Sequence, residues 1–165
     1  MSLDSLSREI KKCTLCRLSK TRKNAVPGEG PRRAEIMFIG QAPGREEDKT
    51  GRPFVGRAGK FLDFLLEKNK VKRKNVFITS AVKCFPPGNR KPKKDELKAC
   101  EHYLVQQIRL VNPKTIVALG CVANEFMEKN KNLAKNRRII ITVHPASGMR
   151  FPKKRQKIME AFRGI

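Results

Sequence analysis

Four cysteines restrict this chain more than any other feature: Cys13 and Cys16 form a C-x-x-C pair near the start, and Cys84 and Cys100 lie far downstream. If their thiolates share one centre, the fold must carry the N-terminus back to the middle of the chain. The C-x-x-C spacing lets two thiolates reach the same metal, but the second C-x-x-C of a zinc ribbon is missing. Four-thiolate zinc remains possible, while an iron–sulfur cluster tolerates ligands this dispersed. Read singly, Cys100 on an apolar helical face would pass for a core cysteine and Cys84 for an incidental one. The C-x-x-C pair tips the balance toward a shared metal. Cys121, the odd cysteine, follows Gly120 at a strand end and is expected to be buried rather than ligating.

A chain of 165 residues fits a single domain large enough to bury a core without help from a metal. Short apolar runs alternate with longer amphipathic stretches, the pattern of an α/β fold. Strands are predicted at 36–40, 76–82, 115–120 and 139–143, each β-branched or apolar and of a length suited to a buried parallel strand. Helices are predicted at 5–12, 59–68, 95–111, 122–129 and 154–162, the third ended by Asn112-Pro113. The loop Gly40-Gln41-Ala42-Pro43-Gly44, Ser80, Gly120 and His144-Pro145 all fall at or just after strand C-termini. In an open parallel sheet those ends line one crevice, where ligands bind.

Lys and Arg number 38 against 15 Asp and Glu, a formal net charge of +23 spread along the whole chain. Such an excess points to a polyanionic partner, and a basic face for nucleic acid fits the distribution better than a basic tail. No signal peptide is visible and no apolar run approaches the ~20 residues of a membrane span, so a cytoplasmic location is expected. Thiols stay reduced there, which again favours metal over disulfides.

The glycines of residues 40–44 permit close backbone approach to a ligand, but no Gly-Lys-Ser/Thr follows, so this is not a Walker loop, nor is it a dinucleotide fingerprint. Phe54, within Gly51-Arg52-Pro53-Phe54-Val55-Gly56-Arg57-Ala58-Gly59, can stack on a base or serve as an ordinary core residue. Arg57 and its neighbours would let a nucleic-acid backbone approach. His144, one of two histidines, can donate a hydrogen bond to a developing anion. His102 is more simply a partly exposed helical residue.

Together the cysteine spacing, Gly40-Gln41-Ala42-Pro43-Gly44 with Glu46-Glu47-Asp48, the segment 52–59, Val82-Lys83-Cys84-Phe85-Pro86-Pro87 and His144-Pro145-Ala146 resemble family four of the uracil-DNA glycosylase superfamily. The resemblance spans nearly the whole chain. It implies a three-layer α/β/α sandwich around a short, mainly parallel four-stranded sheet, and a [4Fe-4S] cluster on Cys13, Cys16, Cys84 and Cys100, with zinc as the alternative. It also implies a bacterial or archaeal monomer that acts on single- or double-stranded DNA, releasing uracil from deoxyuridine and leaving an abasic site.

By the same resemblance Phe54 would stack on uracil and His144 would hydrogen-bond its O2. The backbone amides of Gln41 and Ala42 would line the pocket, Glu47 would position or activate water with Asp48 competing, and Ser147, Arg150 and Arg57 would contact DNA. Three positions depart from the family pattern. Gln41 stands where Glu is usual and is followed by Ala42, which offers no carboxylate; Ser80 stands where an Asn amide typically reads uracil; Ser147-Gly148-Met149 follows His-Pro-Ala, leaving Met149 or Phe151 as a wedge into the duplex. Serine is shorter than asparagine and has a single hydroxyl. Altered base specificity is therefore one competing expectation, with Asn89 a possible substitute for the missing amide. A noncatalytic iron–sulfur protein that binds nucleic acid is the other.

Overall fold

A computed structural model describes all of residues 1–165. The apolar runs form strands β1 (Ile36–Gly40), β2 (Phe77–Ser80), β3 (Thr115–Leu119) and β4 (Arg138–Thr142). Their spatial order is β2-β1-β3-β4, and every neighbouring pair is parallel. Parallel neighbours need crossover connections, and these are supplied by helices. The helices are α1 (Leu3–Lys11), α2 (Arg45–Thr50), α3 (Arg57–Lys68), α4 (Lys94–Val111), α5 (Cys121–Lys129), α6 (Lys131–Ala134), α7 (Pro145–Arg150) and α8 (Pro152–Phe162).

Alternation along each strand divides the core between the two faces of the sheet. Met37, Ile39, Ile116 and Ala118 pack with Leu104 and Ile108 of α4 and with Val122 and Phe126 of α5. Phe38, Ile78, Val117 and Leu119 pack on the other face with Leu62, Leu65 and Leu66 of α3 and with Ile158 and Phe162 of α8. The expected three-layer sandwich follows. Phe38 is fully buried and stacks on Phe162 with ring centroids 5.5 Å apart, so Phe38→Ala should cost about 3–5 kcal/mol. A separate cluster of Leu6, Ile10, Leu18, Val82 and Tyr103 folds α1 back against α4.

The sheet is wholly parallel, and several boundaries move from their predicted places. β2 stops at Ser80 rather than 82, where the Lys83 ammonium turns back to donate to the Ser80 carbonyl at 2.6 Å. β4 starts one residue early, at Arg138. Residues 45–50 and 145–150 are short helices, although no helix was predicted there. Each has a local cause. The Glu47 side chain accepts the Gly44 N–H at the start of α2, and the His144 side chain caps α7, whose first residue is Pro145.

β2 is an edge strand, and its outer side is closed by one residue. Glu29 and Ile78 form an antiparallel bridge, N–H to carbonyl in both directions at 3.0 and 2.8 Å. The chain approaches so closely that a Cβ at Gly30, where φ is +141°, would lie 2.2 Å from the Val76 carbonyl oxygen.

Candidate functional site

The C-terminal ends of the strands open into a cavity of about 120 Å³ lined by Ala42, Glu47, Phe54, Ser80, Asn89, His144 and Ala146, among others. Six separate segments meet there, as expected of a crevice at the ends of parallel strands.

His144 follows β4 and is the N-cap of α7. Its Nδ1 accepts the Ala146 N–H at 3.1 Å, so that nitrogen carries no proton and Nε2 does. Burial pushes its pKa down to about 4, which keeps the imidazole neutral at ordinary pH. A neutral ring with a fixed tautomer presents one N–H donor without the desolvation cost of a buried cation.

The Phe54 ring lies nearly parallel to His144, with centroids 5.8 Å apart and planes 28° from each other. It is buried at the floor of the cavity beside β1, where a Cβ at Gly40 would meet its Cζ at 2.6 Å. Its backbone lies in the left-handed region at φ 47°, which costs a non-glycine residue about 1–2 kcal/mol. Such strain persists only where surrounding contacts fix it.

Ser80 and Asn89 supply the other polar side chains, and neither side chain makes a hydrogen bond to the protein. Asn89 therefore belongs to the cavity, a placement its loop sequence alone did not give. Half-buried Arg90 and buried Glu96, with contacts of 2.7 and 3.2 Å, tie this loop to the start of α4. Ala42 lines the cavity, whereas Gln41 stands beside it and accepts the Val82 N–H at its carbonyl.

The two acidic candidates turn out to be occupied. Glu47 reaches the cavity wall, but one carboxylate oxygen accepts the Gly44 N–H at 3.0 Å and the other accepts those of Val55 and Gly56 at 3.3 and 2.8 Å. It ties the 40–44 loop to the Phe54 segment. Buried Asp48 accepts the N–H groups of Lys23 and Asn24. Arg57 and Arg150 are exposed, Arg57 next in sequence to lining residue Ala58 and Arg150 on the same short helix, α7, as Ala146; Ser147 is half-buried. Met149 and Phe151 are large apolar residues exposed at the end of α7.

The four cysteines line a second, narrow cavity together with Ile10, Leu15 and Tyr103. No three of the thiols converge closely enough for a single metal ion. Four thiols lining one cavity are a donor set for a metal centre, an iron–sulfur cluster or zinc. Donors already face two sulfurs: Arg22 reaches Cys84 Sγ at 3.2 Å and the Leu15 N–H reaches Cys13 Sγ at 3.5 Å. Burial pushes the Cys100 thiol up to about 12 and raises Cys84 as well, so both are protonated thiols at neutral pH. Cys121 is exposed at the start of α5, not buried as predicted, and lies away from this cavity.

Lys83 stands between the two cavities, fully buried. Its ammonium donates to Thr79 Oγ1, the Ser80 carbonyl and Gln107 Oε1 at 2.7, 2.6 and 2.7 Å, and burial lowers its pKa to about 8. The sequence places Lys83 beside Cys84 in one of the segments that carry the resemblance, but only its contacts show what it does.

Residues 27–163 match the family model described as the uracil DNA glycosylase superfamily. The chain is 42% identical to the type-4 uracil-DNA glycosylase of Saccharolobus solfataricus over 99% of its own length and 85% of that protein's. It is 43% identical to the type-4 enzyme of Thermotoga maritima, over 87% of this chain and 81% of that one. With the type-4 enzyme of Archaeoglobus fulgidus the identity is 39%, over 99% and 92%.

Proposed function

The chain belongs to the uracil-DNA glycosylase superfamily, and we propose that it hydrolyses the N-glycosidic bond of deoxyuridine in DNA, releasing uracil and leaving an abasic site. His144 carries this reading: a neutral imidazole whose Nδ1 is held by a backbone N–H keeps its Nε2 proton for a ligand facing Phe54.

An enzyme working on a base must take it out of the stack, and the +23 charge supplies the attraction for a bent phosphate backbone. The flipped uracil stacks on Phe54 and accepts the His144 Nε2 proton in a hydrogen bond at O2. As the glycosidic bond breaks, its electron pair moves to uracil and the sugar becomes oxocarbenium-like. The His144 donor grows stronger as the anion forms, so it stabilises the transition state more than the bound substrate. Water then adds to the sugar carbon and its proton passes, through solvent, to the departing uracil anion; an electron-poor carbon does not require a strong base. We assign Glu47 a bracing part in this scheme, because three backbone donors occupy its carboxylate. Asn89 offers the amide that Ser80 lacks, and Arg57, Ser147 and Arg150 would contact the phosphates beside the flipped nucleotide.

The thiols of Cys13, Cys16, Cys84 and Cys100 would hold a [4Fe-4S] cluster. When bound, that group supplies a cross-link between the N-terminal segment, the Lys83–Pro87 loop and α4, and it stands apart from the base. Purified protein should be brown and contain iron and sulfide; a colourless protein with one zinc would overturn this assignment.

The proposed activity is tested with oligonucleotides carrying uracil, hypoxanthine, xanthine or a thymine mismatch, followed by alkaline strand cleavage. Uracil strands should be cut. Binding without cleavage of any strand would sink the enzymatic reading, and cleavage of another base alone would transfer the specificity to Ser80.

A further inference from the structure

We infer that Arg73, which lies outside the base cavity, is the positioning residue that holds Phe54 as a stacking platform; the inference rests on the reading of that cavity as a uracil site. Arg73 begins a short 3₁₀ turn, Arg73–Asn75, just before β2. Its guanidinium donates to two successive carbonyls, to Phe54 at 2.9 Å through Nη1 and to Pro53 at 2.6 Å through Nη2. No other donor in the protein reaches either oxygen.

Two adjacent carbonyls held by one rigid, planar group fix the two peptide planes that flank the Phe54 Cα, and with them the direction in which the Phe54 side chain leaves the backbone. This matters most where the backbone is held against its own preference, and Phe54 lies at φ 47°. From the other side, α3 presses on the second of these peptides: a Cβ at Gly59 would lie 1.9 Å from the Phe54 carbonyl oxygen. The Phe54 carbonyl is thus trapped between a bare glycine and a guanidinium.

The guanidinium is itself anchored. Asp63 of α3 accepts Nη1 at 2.8 Å, and Glu29, the residue that bridges to β2, accepts Nη2 at 3.4 Å. Glu29 also receives Arg52 through two contacts of 3.0 Å. The Arg73 side chain is 23% exposed against 61% for Arg52, so Arg73 is the enclosed member of this pair. A lysine at 73 offers a point donor on a flexible stem and cannot hold two carbonyls in a fixed plane.

The test compares wild type, Arg73→Lys, Asp63→Asn, Phe54→Ala and the double variant Arg73→Lys/Phe54→Ala. The measurements are single-turnover excision, inhibition by free uracil, affinity for undamaged duplex and thermal midpoint. Arg73→Lys should slow excision about tenfold and weaken uracil inhibition about tenfold, while duplex affinity stays within about twofold. In the Phe54→Ala background, Arg73→Lys should have no further effect on uracil inhibition. Asp63→Asn should act in the same direction but less. If Phe54→Ala loses uracil inhibition while Arg73→Lys keeps it at any thermal midpoint, Arg73 is only a structural residue and the inference is overturned. Independent, additive losses would overturn it too. Wild-type protein that free uracil does not inhibit, with Phe54→Ala fully active, would instead remove the reading of the cavity on which the inference rests.

Discussion

The cysteine cavity and the base cavity lie at the two ends of one short stretch of chain, Ser80 to Cys84, yet they treat polar groups in opposite ways. Around the cysteines the walls are mainly apolar, thiols are raised by burial, and Lys83 is bonded on every side. In the base cavity His144 Nε2, Ser80 and Asn89 have no protein partner, and the one carboxylate is fully committed to backbone donors. A site that holds a permanent group closes its hydrogen bonds and desolvates its ligands. A site that turns over leaves its bonds open for a visitor, while the groups that shape it are fixed by others behind it.

The strongest way to break this contrast is to remove a thiol. Cys84→Ser or Cys100→Ser should abolish the brown colour, lower the thermal midpoint by more than about 10 °C and reduce excision by at least about 100-fold, because β2 and α4 lose their common tie. Unaltered excision in a colourless variant would show that the base cavity does not depend on the cysteines. Next in size, His144→Gln should lower the single-turnover rate about 10²–10³-fold with DNA binding retained, the range for losing one positioned donor to a developing anion.

Ser80→Asn sharpens the comparison from inside the open site. An amide there should raise selectivity for uracil over hypoxanthine by about tenfold, read as the ratio of kcat/KM values. A fall for all bases would mean that the space beside Gly40, where a Cβ would already lie 3.2 Å from Ser80 Oγ, is full.

The pH dependence should be modest. His144 ionises near pH 4 when folded and near its ordinary 6.5 when unfolded, so between those values the unfolded chain binds more protons. The stability contribution is complete above about pH 6.5 and is lost as pH falls toward about 4, whereas excision should stay flat from pH 8 to about 5.5 on this account. Thermal midpoints of wild type and His144→Gln across that range check the sign: the fall should be steeper in wild type. The smallest effect is expected on the exposed surface. Arg57→Ala or Arg150→Ala should each lower the slope of log affinity against log salt by about 1, without changing which base is removed.

The layers and strand positions were legible because β-branched runs of buried-strand length leave few other folds open, and β1 and β3 lie almost where the sequence put them. The cysteine cavity was legible for a similar reason: spacing limits which thiols can share a centre. Glu47 was not. Its acidic neighbours and the family resemblance suggested chemistry, whereas the Gly44-x-x-Glu47 spacing carried a capping signal that a glycine at the cap disguises. The roles of Arg73 and Lys83 were beyond reach for another reason. They depend on long-range partners, Phe54 and Asp63 for one and Gln107 for the other. Cys121 was misjudged because a residue just after a strand end can begin a helix with its side chain toward solvent, as it does here.

The bridge between Glu29 and Ile78 has a consequence for how molecules of this protein behave toward one another. Without it, β2 would present Phe77-Ile78-Thr79-Ser80 as an unpaired edge, a template on which strands from other chains assemble. A side chain at Gly30 would lift the cover from that edge. The same residue that gives Arg73 and Arg52 their carboxylate therefore also guards against aggregation, so changes to this short segment should be judged first by how well the protein remains in solution.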